Sequence, residues 1–168
     1  FQFSGATANQ LGWAGVGQYN DLVNPCALMV YMGAIASGGK AAVPQLILQT
    51  VTPLDFRVSL YVRHRTGRLV EADTAELLSD TASALADLMA NNVTQTYGAS
   101  RFPNMDLCAK SGTGEVGGGK APNAWFAGFL RNEDAPYAFV VLVENGGSGA
   151  EAAGGVAAKV LNALVNGD

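Results

Sequence analysis

The apolar positions of this chain change rhythm along its length, and each rhythm predicts an element. Residues 1–23 carry no sustained pattern; they are rich in glycine, through Gly12, Gly15 and Gly17, and read as irregular. Asn24-Pro25 opens a helix, with Asn24 as N-cap and Pro25 at the first helical position, where its missing N–H is no loss. Ala27 to Ala36 is apolar on every face and predicts a buried helix. Gly38-Gly39 ends it and Pro44 prevents an early restart. Leu46-Ile47-Leu48 predicts a short strand, and Arg57 to Arg63 alternates with the period of a half-exposed strand. Asp73-Thr74-Ala75-Glu76 is a capping-box arrangement, starting a helix to about Asn91 with Leu77, Leu78, Leu85, Leu88 and Met89 along one stripe.

From residue 105 the pattern turns to strands: Met105–Thr113, Ala124–Leu130 and Tyr137–Glu144. Gly117-Gly118-Gly119 links the first two and Arg131 to Pro136 the last two. Links this short favour antiparallel neighbours, because a parallel crossover needs roughly a dozen residues or more. Phe139 to Val143 is continuously apolar, as in a strand covered on both faces. Ser148 and Glu151 form a second capping box, and the helix they start runs from about 149 to 165 with Val156, Val160, Leu161 and Leu164 facing inward. The predicted class is α+β: an antiparallel sheet with packed helices.

Charge and composition narrow the chemistry. The 168 residues carry 10 Lys+Arg against 14 Asp+Glu, a net charge of −4. Phosphate-driven binding normally needs a basic surplus, so nucleic acid is disfavoured as a partner. Cys26 and Cys108 are too few for a disulfide framework and read as buried free thiols. His64, the single histidine, lies between Arg63 and Arg65 and reads as solvated, so no zinc cluster is indicated. The apolar run from Cys26 to Ala36 falls well short of the roughly 20 residues that span a bilayer. The chain starts at Phe1 without an initiator methionine or a basic leader, and reads as cut from a longer protein.

Several short patterns match signatures by letter only. Gly112 to Gly117 spells G-x-G-x-x-G, but three glycines, Pro122 and a strand follow where a dinucleotide site needs a helix. Gly114 to Lys120 spells G-x-x-x-x-G-K, yet Ala121 stands where a phosphate loop needs Ser or Thr. Ser37-Gly38-Gly39-Lys40 spells S-x-x-K, but at a helix C-terminus, with two glycines unwinding the chain before the lysine.

Lys110-Ser111-Gly112-Thr113 survives this scrutiny. It ends a strand, so alternation points Lys110 and Gly112 to one face and Ser111 and Thr113 to the other. Gly112 lets another element approach closely beside the lysine. A cation, two hydroxyls and strand-edge amides together suit a carboxylate plus a developing oxyanion.

Lys110 to Phe129 resembles the third motif and following hairpin of penicillin-binding protein transpeptidase domains. Ala138 to Gly147 resembles the family's next strand and the turn into its C-terminal helix. Upstream, Gly17 to Pro25 is similar to the family's G-Q-G-x-x-x-V-T-P segment, with Tyr19 and Asn24 replacing a Gly and a Thr. Ala34 to Lys40 is similar to its A-I-A-N-G-G-K. Order and spacing agree over most of the chain, and the pattern is most like the class B, monofunctional members. No S-x-N occurs, and the family's S-x-x-K and S-x-N both precede the G-Q-G segment. The resemblance therefore covers the C-terminal portion of one transpeptidase domain over 1–168, without its nucleophile.

What the resemblance implies is specific. The fold is the transpeptidase fold shared with serine β-lactamases. Lys110 holds the carboxylate of a D-Ala-D-Ala stem peptide or a β-lactam; Ser111 and Thr113 donate hydroxyl hydrogen bonds to it, with Gly112 between them. The main-chain N–H of Thr113 forms half of the oxyanion hole. The implied activity is peptidoglycan cross-linking by serine acyl transfer, with no metal or organic cofactor. The implied partners are stem peptide, β-lactams and the N-terminal half of the same domain; the implied place is extracytoplasmic, behind a membrane anchor outside this chain. A β-lactam-sensing or pseudo-enzyme module and a serine β-lactamase are the alternatives.

Overall fold

The computed structural model describes residues 6–18, 22–41 and 75–167. The expected strands at 46–48 and 57–63, Asp73 and His64 lie outside the described residues.

The glycine-rich start is helical over Ala8–Gly15 (α1), not irregular. Thr7 and Gln10 form a capping box: the Gln10 N–H donates to Thr7 Oγ1 at 3.3 Å, and the Thr7 N–H donates to Gln10 Oε1 at 2.8 Å. At its far end Gly17, at φ 74°, reverses the chain. The Gly17 N–H then donates to Ala14 O at 2.9 Å and the Gln18 N–H to Trp13 O at 3.0 Å, a complete Schellman closure.

Helix α2, Pro25–Ala36, starts as expected, with Asn24 Oδ1 accepting from the N–H groups of Cys26 and Ala27. It closes on Gly38 and Gly39, whose N–H groups donate to Ile35 O and Ala34 O. The helix is not buried all round: Met32 and Ile35 are buried while Met29 and Tyr31 are exposed. One face meets the sheet and the next helix, and the described residues leave the other uncovered. Cys26 sits on this open side and is exposed; of the two free thiols only Cys108 is buried.

Helix α3, Ala75–Asn92, runs as far as expected and continues into a π-helical turn, Val93–Tyr97. Among its described side chains Ala82, Ala86 and Met89 are buried, Leu85 packs half-buried beside them, and Leu88 is exposed.

Three antiparallel strands follow in sheet order β1-β2-β3: Leu107–Gly114, Asn123–Leu130 and Ala138–Val143. Lys110 pairs with Ala127 and Gly112 with Trp125, while Ala127 in turn pairs with Val140. β1 is an outer strand of this sheet.

The two faces carry two cores. Cys108, Ala127 and Phe129 pack with Met32, Ile35, Ala86 and Met89 of α2 and α3. Leu107, Ala109, Ala124 and Phe126 pack with Tyr97, Phe102 and the C-terminal helix α4, Gly154–Asn166. Phe126 is fully buried at the centre of this second core, with Tyr97 edge-on at 5.1 Å and Phe102 stacked at 6.0 Å.

The last helix keeps Leu161 of the expected stripe inside and turns the other three positions outward. Gly154, Ala157 and Leu161 face the sheet, and Val156, Val160 and Leu164 are exposed. Close approach is the reason: a Cβ on Gly154 would stand 3.4 Å from the Phe126 ring. Ser148 caps the preceding π-helical turn, Gly149–Ala153, by accepting from the Glu151 N–H. The Glu151 carboxylate lies 3.9 Å from Arg101.

Candidate active site

The structure places Lys110, Ser111, Gly112 and Thr113 in the outer strand β1, with the alternation expected of them. Cys108 belongs to the core beneath α2 and α3, so Lys110 and Gly112 share that face. Ala109 belongs to the core beneath α4, so Ser111 and Thr113 share that one. The element that approaches Gly112 is Trp125, whose Cβ lies 3.3 Å from where a Gly112 Cβ would stand.

Hydrogen bonds show where the main chain of β1 points. The Ser111 N–H donates to Tyr97 Oη at 2.8 Å, and the Ser111 carbonyl accepts from Lys110 Nζ at 2.6 Å. The Thr113 carbonyl accepts from Gln18 Nε2 at 2.9 Å, and the Glu115 N–H donates to Gln18 Oε1 at 3.3 Å. Residues 111, 113 and 115 therefore turn their polar groups away from β2. In an antiparallel ladder a residue directs its N–H and C=O to the same side, so the Thr113 N–H also points to the outer edge. Lys110, although rooted on one face, curls to that edge to reach the Ser111 carbonyl.

The hydroxyls are set as donors. Tyr97 donates its O–H to Ser111 Oγ at 3.1 Å, and the Gly149 N–H donates to Thr113 Oγ1 at 3.4 Å. A hydroxyl that accepts on a lone pair keeps its own proton to give elsewhere. Among the described residues Lys110 has no ion-pair partner, and it is exposed. The strand thus presents one cation, two hydroxyls and an outward amide, chemical types suited to a carboxylate and a developing oxyanion.

Neither Cys108 nor Ser37 is set up as a nucleophile. Burial pushes the Cys108 thiol up to about 11 against the opposing pull of Arg131, so Cys108 stays protonated at neutral pH. Ser37 is the exposed C-cap of α2, followed by Gly38 and Gly39 at positive φ before Lys40, so the two ends of that S-x-x-K do not share a helix face. The G-x-G-x-x-G at Gly112 runs from β1 through a glycine turn into β2, with no helix. Among the described residues no three His, Cys, Asp or Glu side chains are grouped to hold a metal ion.

Three residues of the site carried no role in the sequence reading. Gln18 lies within the G-Q segment, Tyr97 ends the π-helical turn after α3, and Gly149 begins the turn before α4. Only Gln18 left a trace, as part of the G-Q motif. A buried tyrosine in need of a partner is the general signal for Tyr97.

Comparison with known proteins gives the class: residues 2–166 match the penicillin binding protein transpeptidase domain. The chain belongs to that family, and its fold is the α+β fold of those domains. It is 30% identical over 157 residues to the peptidoglycan D,D-transpeptidase PbpA of Mycolicibacterium smegmatis, covering 92% of this chain and 30% of that protein. The PbpA of Mycobacterium tuberculosis is 30% identical over 160 residues, covering 92% of this chain and 31% of its own length. Among solved structures, penicillin-binding protein A from M. tuberculosis as an imipenem acyl-enzyme superposes with a TM-score of 0.74 at 25% identity, covering 95% of this chain and 35% of that one. The chain thus spans about a third of the length of these relatives.

Proposed function

We propose that these 168 residues are the C-terminal portion of the catalytic domain of a D,D-transpeptidase that cross-links peptidoglycan outside the cytoplasm, held to the membrane by an N-terminal segment. The observation that carries this reading is the outer strand β1, where Lys110 Nζ is held on the Ser111 carbonyl, the Ser111 hydroxyl on Tyr97 and the Thr113 hydroxyl on the Gly149 N–H. The family membership and the acyl-enzyme complexes of penicillin-binding protein A support it.

In this mechanism Lys110 draws the terminal carboxylate of a D-Ala-D-Ala stem peptide to the strand edge, and Ser111 and Thr113 donate hydrogen bonds to it. A serine from the N-terminal half of the domain attacks the penultimate carbonyl, and the oxygen that becomes negative receives the Thr113 N–H. Collapse of the tetrahedral intermediate breaks the peptide bond and releases D-alanine, which takes a proton. An acceptor amine then attacks the ester, forms the cross-link and returns the proton to the serine. A β-lactam carries an equivalent carboxylate beside its strained amide, so it enters by the same contacts and remains as the acyl-enzyme.

The test is acylation of the full-length protein by labelled penicillin, wild type against Lys110→Ala. A charge pair at ~4 Å with an effective dielectric of ~20 is worth at most about 4 kcal/mol before desolvation. The expected outcome is a slowing of acylation by roughly 10²–10³-fold. An unchanged rate in folded Lys110→Ala protein would remove Lys110 from the site. Rapid hydrolysis of the adduct would move the assignment to a β-lactamase, and β-lactam binding without turnover of peptide to a sensing or pseudo-enzyme module.

A further inference from the structure

We propose that Gln18 is a positioning residue: its side-chain amide fixes the outer end of β1 and thereby aims the Thr113 N–H. The contact is a two-point bridge, Nε2 to the Thr113 carbonyl at 2.9 Å and Oε1 from the Glu115 N–H at 3.3 Å. A neighbouring strand would make the same pair of bonds, so one primary amide stands in for a strand along this stretch of edge. The end of β1 needs it. Thr113 is flanked by Gly112 and Gly114, the least restricted residues of the backbone, and its edge has no β-neighbour among the described residues. On the inner side the ladder to Trp125 and Asn123 holds those glycines. On the outer side Gln18 holds the two peptide planes that follow the Thr113 N–H.

The delivery of Gln18 is built into α1. Gly17 at φ 74° closes the helix, and the Gln18 N–H is itself fixed on Trp13 O at 3.0 Å. The backbone of Gln18 is thus tied to the helix end while its side chain crosses to a strand 95 residues away in sequence. This also accounts for the pairing of a glycine with a glutamine at 17–18: the first turns the chain and the second uses the turn.

The consequence for acylation rests on the transpeptidase reading, and the experiment separates the two. In full-length protein, Gln18→Ala removes both bonds; Gln18→Glu keeps the size and the acceptor for Glu115 but sets a carboxylate against the Thr113 carbonyl. Because the Thr113 N–H acts on the oxyanion, both variants are expected to lower the first-order acylation rate constant about 10- to 100-fold while the dissociation constant for penicillin changes by less than about twofold. A variant that merely loosened the fold would weaken binding and rate together. The second readout needs no activity: hydrogen exchange at the Glu115 amide is expected to speed up at least about fivefold in Gln18→Ala, which removes its acceptor. Unchanged exchange at Glu115 in Gln18→Ala, or a wild-type rate constant in either variant, overturns the proposal for Gln18. Faster exchange in a protein whose wild type forms no acyl-enzyme upholds the bridge and sinks the transpeptidase reading instead.

Discussion

Tyr97 meets Ser111 twice: its hydroxyl donates to Ser111 Oγ at 3.1 Å and accepts the Ser111 N–H at 2.8 Å. The ring behind that hydroxyl is buried edge-on against Phe126, so the contact ties the site strand to the centre of the core. With Gln18 at Thr113 and Glu115, it leaves β1 supported along its outer edge at both hydroxyl-bearing residues.

Tyr97→Phe keeps the ring and removes both bonds. Because the Ser111 N–H is half-buried and loses its acceptor, the expected cost is about 1–2 kcal/mol. Urea unfolding of the complete domain checks this, with the slope unchanged and the midpoint lowered. A cost below about 0.3 kcal/mol would show that water replaces the phenol at this edge.

Gly149→Ala tests the approach of the C-terminal helix to the site. A Cβ there would overlap the Gly112 carbonyl and stand 2.7 Å from the Trp125 carbonyl, both main-chain atoms that cannot turn aside. Overpacking of this kind costs about 1–3 kcal/mol. The displacement also withdraws the Gly149 N–H from Thr113, so acylation by penicillin is expected to fall with stability. Wild-type behaviour in both measurements would mean that the helix shifts freely on the sheet.

Cys108 predicts a pH dependence. Its folded value, about 11, lies above the ordinary 9.0 because burial opposes the thiolate. The unfolded chain therefore releases this proton first as pH rises. The contribution to stability is complete below 9.0 and is lost progressively up to about 11. Two units correspond to about 2.7 kcal/mol. Because the full difference is reached only above 11, wild type should lose roughly 2 kcal/mol more stability than Cys108→Ala between those pH values, by denaturant titration. Equal losses would place the thiol in contact with water. At neutral pH iodoacetamide should label the exposed Cys26 and leave Cys108 until the protein unfolds.

The 168 residues alone are expected to form no covalent adduct with labelled penicillin, because they contain no S-x-N and their S-x-x-K lies at a helix end. Intact-mass spectrometry reads the answer. A stoichiometric mass increase mapped to any serine of this chain would relocate the nucleophile.

Local rules carried much of this structure. Asn24-Pro25 and Gly38-Gly39 determined where α2 begins and ends, since a cap and a left-handed glycine act on groups within a few residues. The three strands and their antiparallel order followed from apolar runs joined by short turns, and strand alternation alone assigned Lys110 and Thr113 to opposite faces. The α1 cap was equally local: Thr7-x-x-Gln10 has the spacing of a capping box, overshadowed by the glycines after it.

Depth was decided only by packing. Hydrophobicity ranks Val156, Val160 and Leu164 above Gly154 and Ala157, yet a helix drawn close to a sheet buries the residues that fit. The site shows the same division. Its chemistry is contiguous at Lys110 to Thr113, but its supports come from Gln18, Tyr97 and Gly149, in other elements. No periodicity links residue 18 to residue 113, because the bond between them exists only once α1 has been turned by Gly17 and β1 has been left at the edge of its sheet.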